Sequence, residues 1–131
     1  MSTTPLILVI DDDDDVRDVL EDALESQGYK VELAVSVEDA QEVWRRLGAS
    51  GIDLVVCDVH LTGDPRALEG YQLCMGWQSA RAELPVLLIS GDLSLKTLPA
   101  VRSGRVVFIS KPFAVGELLR LVEAEVKRGR D

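Results

Sequence analysis

Three aspartates follow apolar runs of the kind that form buried strands, and together they could bind a divalent cation. Asp11 and Asp12 come directly after residues 6–10, and Asp58 comes directly after residues 54–57. Clustered carboxylates repel one another, so either a pKa rises or a cation binds among them. Carboxylate oxygens favour Mg²⁺, Ca²⁺ or Mn²⁺, and Mg²⁺ commonly uses few carboxylates and keeps several waters. The spacing therefore predicts a site for a hard divalent cation.

Two further polar side chains follow the later apolar runs and suit phosphate chemistry. Ser90 follows residues 86–89, and Lys111 lies just beyond residues 106–109. A lysine supplies a point charge and a serine hydroxyl donates a hydrogen bond, so both can contact phosphoryl oxygens. A carboxylate can accept the phosphoryl group as the nucleophile. Asp58 is the best candidate because it stands alone, whereas the other two acids form a pair.

These side chains need a framework that brings the ends of separate strands together. Apolar runs alternate five times with helical patterns, which is typical of an α/β fold with helices on both faces of a parallel sheet. We expect the doubly wound, flavodoxin-like strand order 2-1-3-4-5 with right-handed crossovers. Sites in such sheets form at the carboxyl ends of the strands, beside the switch point between strands 1 and 3. Residues 1–131 are expected to form a single domain.

The strands and three of the helices are clearly marked. The second helix begins with Ser36 as an N-cap, and the last begins near Phe113. The first helix ends before Gly28, and its apolar stripe consists of Val16, Val19, Leu20, Ala23 and Leu24. Strands are predicted at residues 6–10, 29–35, 52–57, 86–89 and 105–109.

The third and fourth helices are less clearly marked. Gly70 and Gly76 weaken the third helix, and its apolar residues would be Leu73, Cys74 and Trp77. Pro99 falls inside residues 91–104 and is expected to interrupt the fourth helix. We therefore expect that helix to be short, bent or irregular.

Four motifs extend this interpretation because they resemble those of response-regulator receiver domains, in order and at suitable spacing. They are ILVIDDDDDVRDVL, IDLVVCDVHLTG, PVLLISGD and VVFISKPF. The resemblance covers residues 6 to 126, which is nearly the whole chain. Each motif is weak alone, and the ordered set is specific.

The resemblance implies a role for each matching residue. Asp58 would take the phosphoryl group, and Lys111 would pair with it. Mg²⁺ would be bound by Asp12, Asp58 and the backbone carbonyl of His60, with Asp11 acting through water. Ser90 would be the hydroxyl switch and Phe108 the aromatic switch, and the Lys111–Pro112 peptide bond would be cis.

The resemblance also implies a function in two-component phosphorelay signalling. The phosphoryl group would come from a histidine kinase or a histidine phosphotransfer protein, and the domain would signal by changing conformation. It would catalyse its own phosphorylation and slow dephosphorylation, without turnover of a separate substrate. The output would be a downstream protein or a covalently linked output domain, and a homodimer is left open. The chain is either a stand-alone receiver or a piece of a larger regulator or hybrid kinase.

The chain departs from the family pattern at three places. Thr62 stands four residues after Asp58, where receiver domains often have proline. The loop that follows is about four residues longer than usual, with residues 64–69 inserted. Pro99 lies in the helix that changes partner affinity in this family. These departures affect the output surface more than the phosphorylation site.

Composition excludes several classes of partner and location. The formal net charge is −9, so the basic patch that nucleic-acid binding requires is absent. No apolar run is long enough for a membrane span, and residues 1–5 do not resemble a signal peptide. The two cysteines, Cys57 and Cys74, suit reduced and buried thiols. We therefore expect a cytoplasmic protein that contacts neither membrane nor nucleic acid.

Two other classes of protein could use some of the same residues. A haloacid-dehalogenase-type phosphatase would use an Asp-x-Asp such as residues 11–13, but it leaves Asp58 unexplained and needs a later acidic pair. A flavodoxin-like FMN carrier would need a Gly, Ser and Thr loop after strand 1, where the aspartates would repel phosphate. For residues 13–15 a helix N-cap is the preferred interpretation. His60 is too isolated for a zinc site, and with Asp92 it is expected to tune the lifetime of the aspartyl phosphate.

Overall fold

The computed structural model describes residues 4–64 and 66–130, so residues 1–3, 65 and 131 of the expected domain lie outside the described residues. Within the described residues the strands are β1 (Leu6–Ile10), β2 (Lys30–Ala34), β3 (Leu54–Asp58), β4 (Val86–Ser90) and β5 (Val107–Ser110). The helices are α1 (Asp14–Ser26), α2 (Val37–Leu47), α3 (Glu69–Ala80), α4 (Pro99–Arg102) and α5 (Val115–Arg130). Short 3₁₀ helices lie at Ala49–Gly51 and Leu93–Thr97. None of the described helices combines the length and apolar character needed to cross a membrane.

The strands form a parallel sheet in the order β2-β1-β3-β4-β5, which confirms the predicted topology. Their register aligns the carboxyl ends. Ile10 pairs with Cys57, Cys57 pairs with Leu88, and Leu88 pairs with Phe108. The residues that follow these positions therefore come out at one rim of the sheet, beside the switch point between β1 and β3.

Two apolar clusters bury the sheet on opposite faces. Successive side chains of a strand point to opposite sides. In β1, Ile7 and Val9 belong to one cluster, whereas Leu8 and Ile10 belong to the other. Helices α1 and α5 complete the first cluster, and α2, α3 and α4 complete the second. Continuous apolar strands are what a parallel sheet covered on both faces requires.

Side-chain caps fix the starts of α1 and α2. Asp13 precedes α1, and its carboxylate accepts hydrogen bonds from the backbone N–H of Asp15 at 2.9 Å and of Val16 at 3.3 Å. Ser36 precedes α2 and accepts from the backbone N–H of Asp39 at 3.1 Å. These bonds satisfy N–H groups that a helix start leaves unpaired. The capping interpretation of residues 13–15 is confirmed.

The third helix and residues 91–104, which the sequence marked weakly, differ in regularity. Helix α3 is regular over 12 residues despite Gly70 and Gly76, because its burial of Leu73, Cys74 and Trp77 outweighs low helix propensity. Residues 91–104 are short and irregular, as predicted. However, Pro99 does not interrupt a helix as expected. It begins α4, where proline is tolerated because the first N–H has no partner within the helix.

The α2–α3 side of the core contains both tryptophans and both cysteines. The rings of Trp44 and Trp77 stack with centroids 4.4 Å apart and planes 5° apart, and they join α2 to α3. Cys57 and Cys74 are buried and carry no disulfide. A hydrogen bond with Cys74 and burial raise the pKa of Cys57 well above its usual value. The Cys57 thiol is therefore neutral, and both cysteines are reduced residues of the core, as predicted.

Candidate functional site

Asp11, Asp12 and Asp58 lie together at the carboxyl-end rim of the sheet. Each offers a carboxylate oxygen, and these oxygens lie within 4.8 Å of one another. Asp11 is 1% exposed and Asp58 is 7% exposed, whereas Asp12 is exposed. The cluster is thus buried at Asp11 and Asp58, and a ligand can reach it from solvent at Asp12.

The backbone around Asp58 is packed tightly by the start of α3. The backbone N–H of His60 donates to Asp58 Oδ1 at 3.0 Å, and the N–H of Gly70 donates to the carbonyl of Val59 at 2.9 Å. A Cβ at Gly70 would lie 2.0 Å from the carbonyl oxygen of Asp58 and 2.8 Å from Cys57 Sγ. Only glycine allows this approach, and the approach fixes the strand end that carries Asp58.

Lys111 faces the acids from the end of β5. Its Nζ lies 2.9 Å from Asp58 Oδ2 and 3.3 Å from Asp11 Oδ2. Its backbone N–H donates to the carbonyl of Ser90 at 3.0 Å, which ties this residue to the end of β4. The Lys111–Pro112 bond is cis, as predicted. The ammonium is therefore directed at the rim rather than at solvent.

The electrostatics of the cluster are set by burial and by the lysine. Burial raises the pKa of Asp11; a hydrogen bond from the Asp13 N–H opposes the rise and the charge of Asp58 adds to it. Burial tends to lower the pKa of Lys111, but hydrogen bonds and charges from Asp58 and Asp11 outweigh it, so that pKa is raised. One ammonium faces three carboxylates, and the remaining negative charge attracts a cation.

The predicted switch residues lie on β4, which is next to the strand of Asp58, and on β5, one strand further along the sheet. Ser90 is buried, and Asp58 pairs with the residue just before it in β4. Its Oγ accepts a hydrogen bond at 3.0 Å from the backbone N–H of Asp92, the residue that caps the following 3₁₀ helix. Phe108 is half-buried in β5 and packs against the α2–α3–α4 side of the core.

The long loop after Asp58 folds back onto His60. Nδ1 of His60 lies 2.8 Å from the carbonyl oxygen of Ala67, which can only accept, so Nδ1 carries a hydrogen. The charge of His60 helps to lower the pKa of Asp92, after the hydrogen bonds from Ser94. His60 is therefore held between the loop and the end of β4.

An apolar groove opens beside Lys111. It lies between the start of α1 and the segment after β5, and it is lined by Asp15, Val16, Val19, Lys111, Pro112, Phe113 and Val115. Val19 was expected within the core stripe of α1, but it is 47% exposed. It lines this groove, whereas Leu20 and Leu24 of the same helix are buried.

The site suits a divalent cation and a phosphoryl group. Three carboxylates give the oxygen donor set that Mg²⁺ prefers. The lysine and the Ser90 hydroxyl give the partners that phosphoryl oxygens need. Sequence reasoning found these residues but missed Gly70, whose importance lies in its contact with Asp58. It also missed Arg17, whose guanidinium donates to the carbonyl of Asp11 at 2.6 Å.

Comparisons with known proteins show the family of this chain. A family model described as the response regulator receiver domain matches residues 7–123. The chain belongs to the response regulator receiver domain family. This membership favours a receiver domain over the phosphatase and FMN-carrier alternatives.

Curated relatives of this receiver domain are longer proteins. Response regulator MprA of Mycolicibacterium vanbaalenii is 35% identical over 123 residues, which cover 93% of this chain and 50% of that protein. DNA-binding transcriptional regulator NtrC of Rhizobium meliloti is 35% identical over 130 residues, covering 96% of this chain and 25% of that protein. The receiver domain thus spans half or less of the length of these relatives.

Solved structures of similar receiver domains share the fold. The receiver domain of NtrX from Brucella abortus is 28% identical, with a TM-score of 0.77 over 92% of this chain and 98% of that one. The non-phosphorylated HemR receiver domain of Leptospira biflexa is 29% identical, with a TM-score of 0.77 over 94% of each chain.

Proposed function

We propose that this receiver domain accepts a phosphoryl group on Asp58 from a phosphohistidine of a histidine kinase or a histidine phosphotransfer protein. The observation that carries the proposal is the position of Lys111 Nζ. It lies 2.9 Å from Asp58 Oδ2 and 3.3 Å from Asp11 Oδ2, beside three carboxylates whose oxygens lie within 4.8 Å. The proposed nucleophile Asp58, the ammonium of Lys111 and the metal-binding pair Asp11 and Asp12 thus share one rim.

The transfer exchanges one bond to phosphorus for another. An oxygen of the Asp58 carboxylate forms a P–O bond, the P–N bond to the donor histidine breaks, and its electron pair returns to the imidazole nitrogen. Lys111 would hold a phosphoryl oxygen by charge, and the Ser90 hydroxyl would donate to another. Hydrolysis of the aspartyl phosphate would release inorganic phosphate and restore the carboxylate.

Four groups of the chain would hold Mg²⁺. Asp12, Asp58 and the backbone carbonyl of His60 would ligate it directly, and Asp11 would act through water. When bound, the cation neutralises charge on the phosphoryl oxygens as the group is transferred. The proposal does not assign turnover of any separate substrate.

Ser90 would transmit the effect of phosphorylation to the segment that follows β4. Its Oγ accepts from the N–H of Asp92 at 3.0 Å, and Asp92 begins the 3₁₀ helix Leu93–Thr97. A movement of this hydroxyl toward a phosphoryl group would therefore act directly on residues 91–104. Phe108, on the adjacent strand, would change its packing with that segment. These two residues are the proposed switch.

The apolar groove beside Lys111 fits the phosphodonor protein. A phosphohistidine must reach Asp58 over the surface that surrounds it, and the groove shares Lys111 with the site. Val19, at 47% exposure, is more exposed than Val115, the other exposed valine of the groove, at 37%. The output would be a downstream protein or a covalently linked output domain, in the cytoplasm, and a homodimer is left open.

The phosphorylation site is tested with a small phosphodonor. Wild-type protein incubated with acetyl phosphate and Mg²⁺ should gain the mass of one phosphoryl group, and Asp58→Asn should gain none. Asp22→Asn, which alters an exposed carboxylate of α1, is the matched control and should label normally. Chelation of Mg²⁺ should stop both gain and loss of the label. Full labelling of Asp58→Asn would contradict the proposal.

The docking surface is tested by comparing protein and chemical donors. Val19→Lys should slow transfer from the cognate phosphohistidine protein but leave labelling by acetyl phosphate unchanged. Val35→Lys is the control, because Val35 is also 47% exposed but lies outside the groove. Equal transfer rates for both variants would place the donor elsewhere.

A further inference from the structure

Arg17 joins helix α1 to the end of β1. Its side chain is only 12% exposed. Nη1 donates to the backbone carbonyl of Asp11 at 2.6 Å, and Nη2 pairs with the carboxylate of Asp14. The guanidinium therefore contacts the backbone of the cation cluster and none of its carboxylates among the described residues.

The carbonyl that Arg17 contacts belongs to the peptide unit between Asp11 and Asp12. A planar peptide unit turns as a whole, so this contact sets the direction in which Asp12 leaves the strand. Asp11 is already held by its N–H, which donates to the carbonyl of Ala34 at 3.1 Å. Its Oδ1 accepts from the N–H of Asp13 at 2.9 Å. The guanidinium contact completes the restraint of this turn.

The carboxylate of Asp12 depends on that backbone restraint. Its side chain is exposed, and in the described part of the chain it makes no hydrogen bond or ion pair. Asp58 by contrast is held by Lys111 and by the N–H of His60. The direction of the peptide unit is thus the main restraint that keeps Asp12 beside the other two acids.

We propose that Arg17 is a positioning residue for divalent-cation binding, acting through the Asp11–Asp12 peptide unit. The inference rests on the proposed function, which assigns a cation to this cluster. Partners that orient metal ligands from outside are commonly worth about 10-fold to 100-fold in affinity or activity. Arg17 holds a backbone that in turn holds a ligand, so an effect near the lower end, about 10-fold, is expected.

The two roles that Arg17 could have predict opposite changes in cation affinity when its side chain is removed. A guanidinium next to the cluster repels a cation, so removing its charge alone would tighten cation binding. Removing its hydrogen bond frees the peptide unit, which would weaken cation binding. The sign of the change therefore separates a positioning residue from a charge that merely offsets the acids.

The experiment measures Mg²⁺ affinity directly, by titration calorimetry and by backbone amide chemical shifts of residues near Asp12 and Asp58. Arg17→Met should weaken binding about 10-fold. Arg17→Lys keeps the charge and one donor and should fall between wild type and Arg17→Met. Arg45→Met is the matched control, since Arg45 also pairs with an acid three residues earlier on a helix but is 73% exposed. It should bind Mg²⁺ as wild type does.

Acetyl phosphate labelling gives a second readout. The rate for Arg17→Met should be low at limiting Mg²⁺ and return to the wild-type rate at saturating Mg²⁺. Mg²⁺ binding by Arg17→Met that is unchanged or tighter would overturn the inference, as would a rate that stays low at saturation. If Arg17→Met does not fold, as judged by circular dichroism, Arg17→Lys decides by the same criteria. Failure of wild-type protein to bind Mg²⁺ would instead reject the proposed function.

Discussion

Around Asp58 the backbone is packed so closely that Gly70 has no room for a methyl group. Residues 91–104, which adjoin the same rim, consist of one short 3₁₀ helix and the single helical turn of α4. The buried side chains of this segment are those of Leu95 and Ala100, and Leu93 is 58% exposed. A tightly packed backbone at Asp58 thus lies beside a weakly packed segment.

If Asp58 is phosphorylated as proposed, the contrast predicts where the conformational response occurs. Segments with few buried apolar contacts open at lower free-energy cost than packed strands. A phosphoryl group on Asp58 would therefore move residues 91–104 before it moves the strand that carries it. The contact between Ser90 and Asp92 joins the two regions directly.

The largest expected effect comes from filling the space beside Asp58. Gly70→Ala would place a methyl group 2.0 Å from the carbonyl oxygen of Asp58, so backbone must shift. We expect the free energy of unfolding to fall by about 3 kcal/mol or more. Labelling of Asp58 by acetyl phosphate should also be lost. Urea unfolding and mass spectrometry measure the two effects.

Gly76→Ala is the control for this substitution. Gly76 lies in the same helix with nothing within 4 Å of an added Cβ, so alanine should raise stability by about 1 kcal/mol through helix propensity. Equal destabilisation by both substitutions would show that the helix, rather than the contact with Asp58, is sensitive at these positions.

Substitutions in residues 91–104 should lower the stability of the protein without abolishing the labelling of Asp58. Leu95→Ala removes a side chain that is 7% exposed and should lower the free energy of unfolding by about 2 kcal/mol. Labelling of Asp58 should remain. Leu93→Ala, in the same segment but at an exposed position, should change stability by less than about 0.5 kcal/mol. Loss of labelling in Leu95→Ala would mean that the two regions are not separable.

Lys111 should contribute to stability in a pH-dependent way. In Mg²⁺-free buffer, Lys111→Met leaves Asp11 and Asp58 without their cation and should cost about 1 kcal/mol at neutral pH. The pKa of Lys111 is raised above its ordinary 10.5 in the folded protein. Its stabilisation is therefore complete below that value and is lost as pH rises through the folded-state pKa. The difference between wild type and Lys111→Met should stay constant up to about pH 10 and shrink above it; a difference that grows with pH would contradict this.

The smallest expected effect concerns the lifetime of the aspartyl phosphate. His60 is held against Ala67 beside Asp58, so His60→Ala should admit water and shorten the lifetime about threefold, less than 1 kcal/mol in barrier. Asp92→Ala should alter the lifetime by a similar factor, because Asp92 contacts Ser90. Loss of label after removal of acetyl phosphate measures both. Unchanged lifetimes in the two variants would reject a role for either residue.

The sheet order and the positions of the acids followed from the sequence because both depend on pattern. A buried parallel strand is a continuous apolar run, and the residue after the run lies at the carboxyl end. Boundaries moved slightly, and Asp58 and Ser90 are the last residues of β3 and β4 rather than the first residues after them. Such shifts depend on hydrogen bonds between strands, which a single sequence does not specify.

What the sequence did not reveal depends on contacts between distant elements. Gly70 looked like a weak point in a helix, although its role is to let α3 approach Asp58. Arg17 carried no signal in the sequence, because the direction of a long side chain is set by packing. A proline such as Pro99 can either interrupt a helix or begin one. Which of the two occurs depends on the backbone conformation of the residue before it, here Leu98.

The stacked indoles of α2 and α3 give the chain an optical probe of its own. Trp44 and Trp77 are the two tryptophans of the sequence, and their nearly parallel rings, 4.4 Å apart, couple electronically. Near-ultraviolet circular dichroism and tryptophan emission will therefore report the separation of these two helices, with no dye attached. Because neither ring belongs to the proposed phosphorylation site, a signal change on labelling would measure motion transmitted to the α2–α3 face of the sheet.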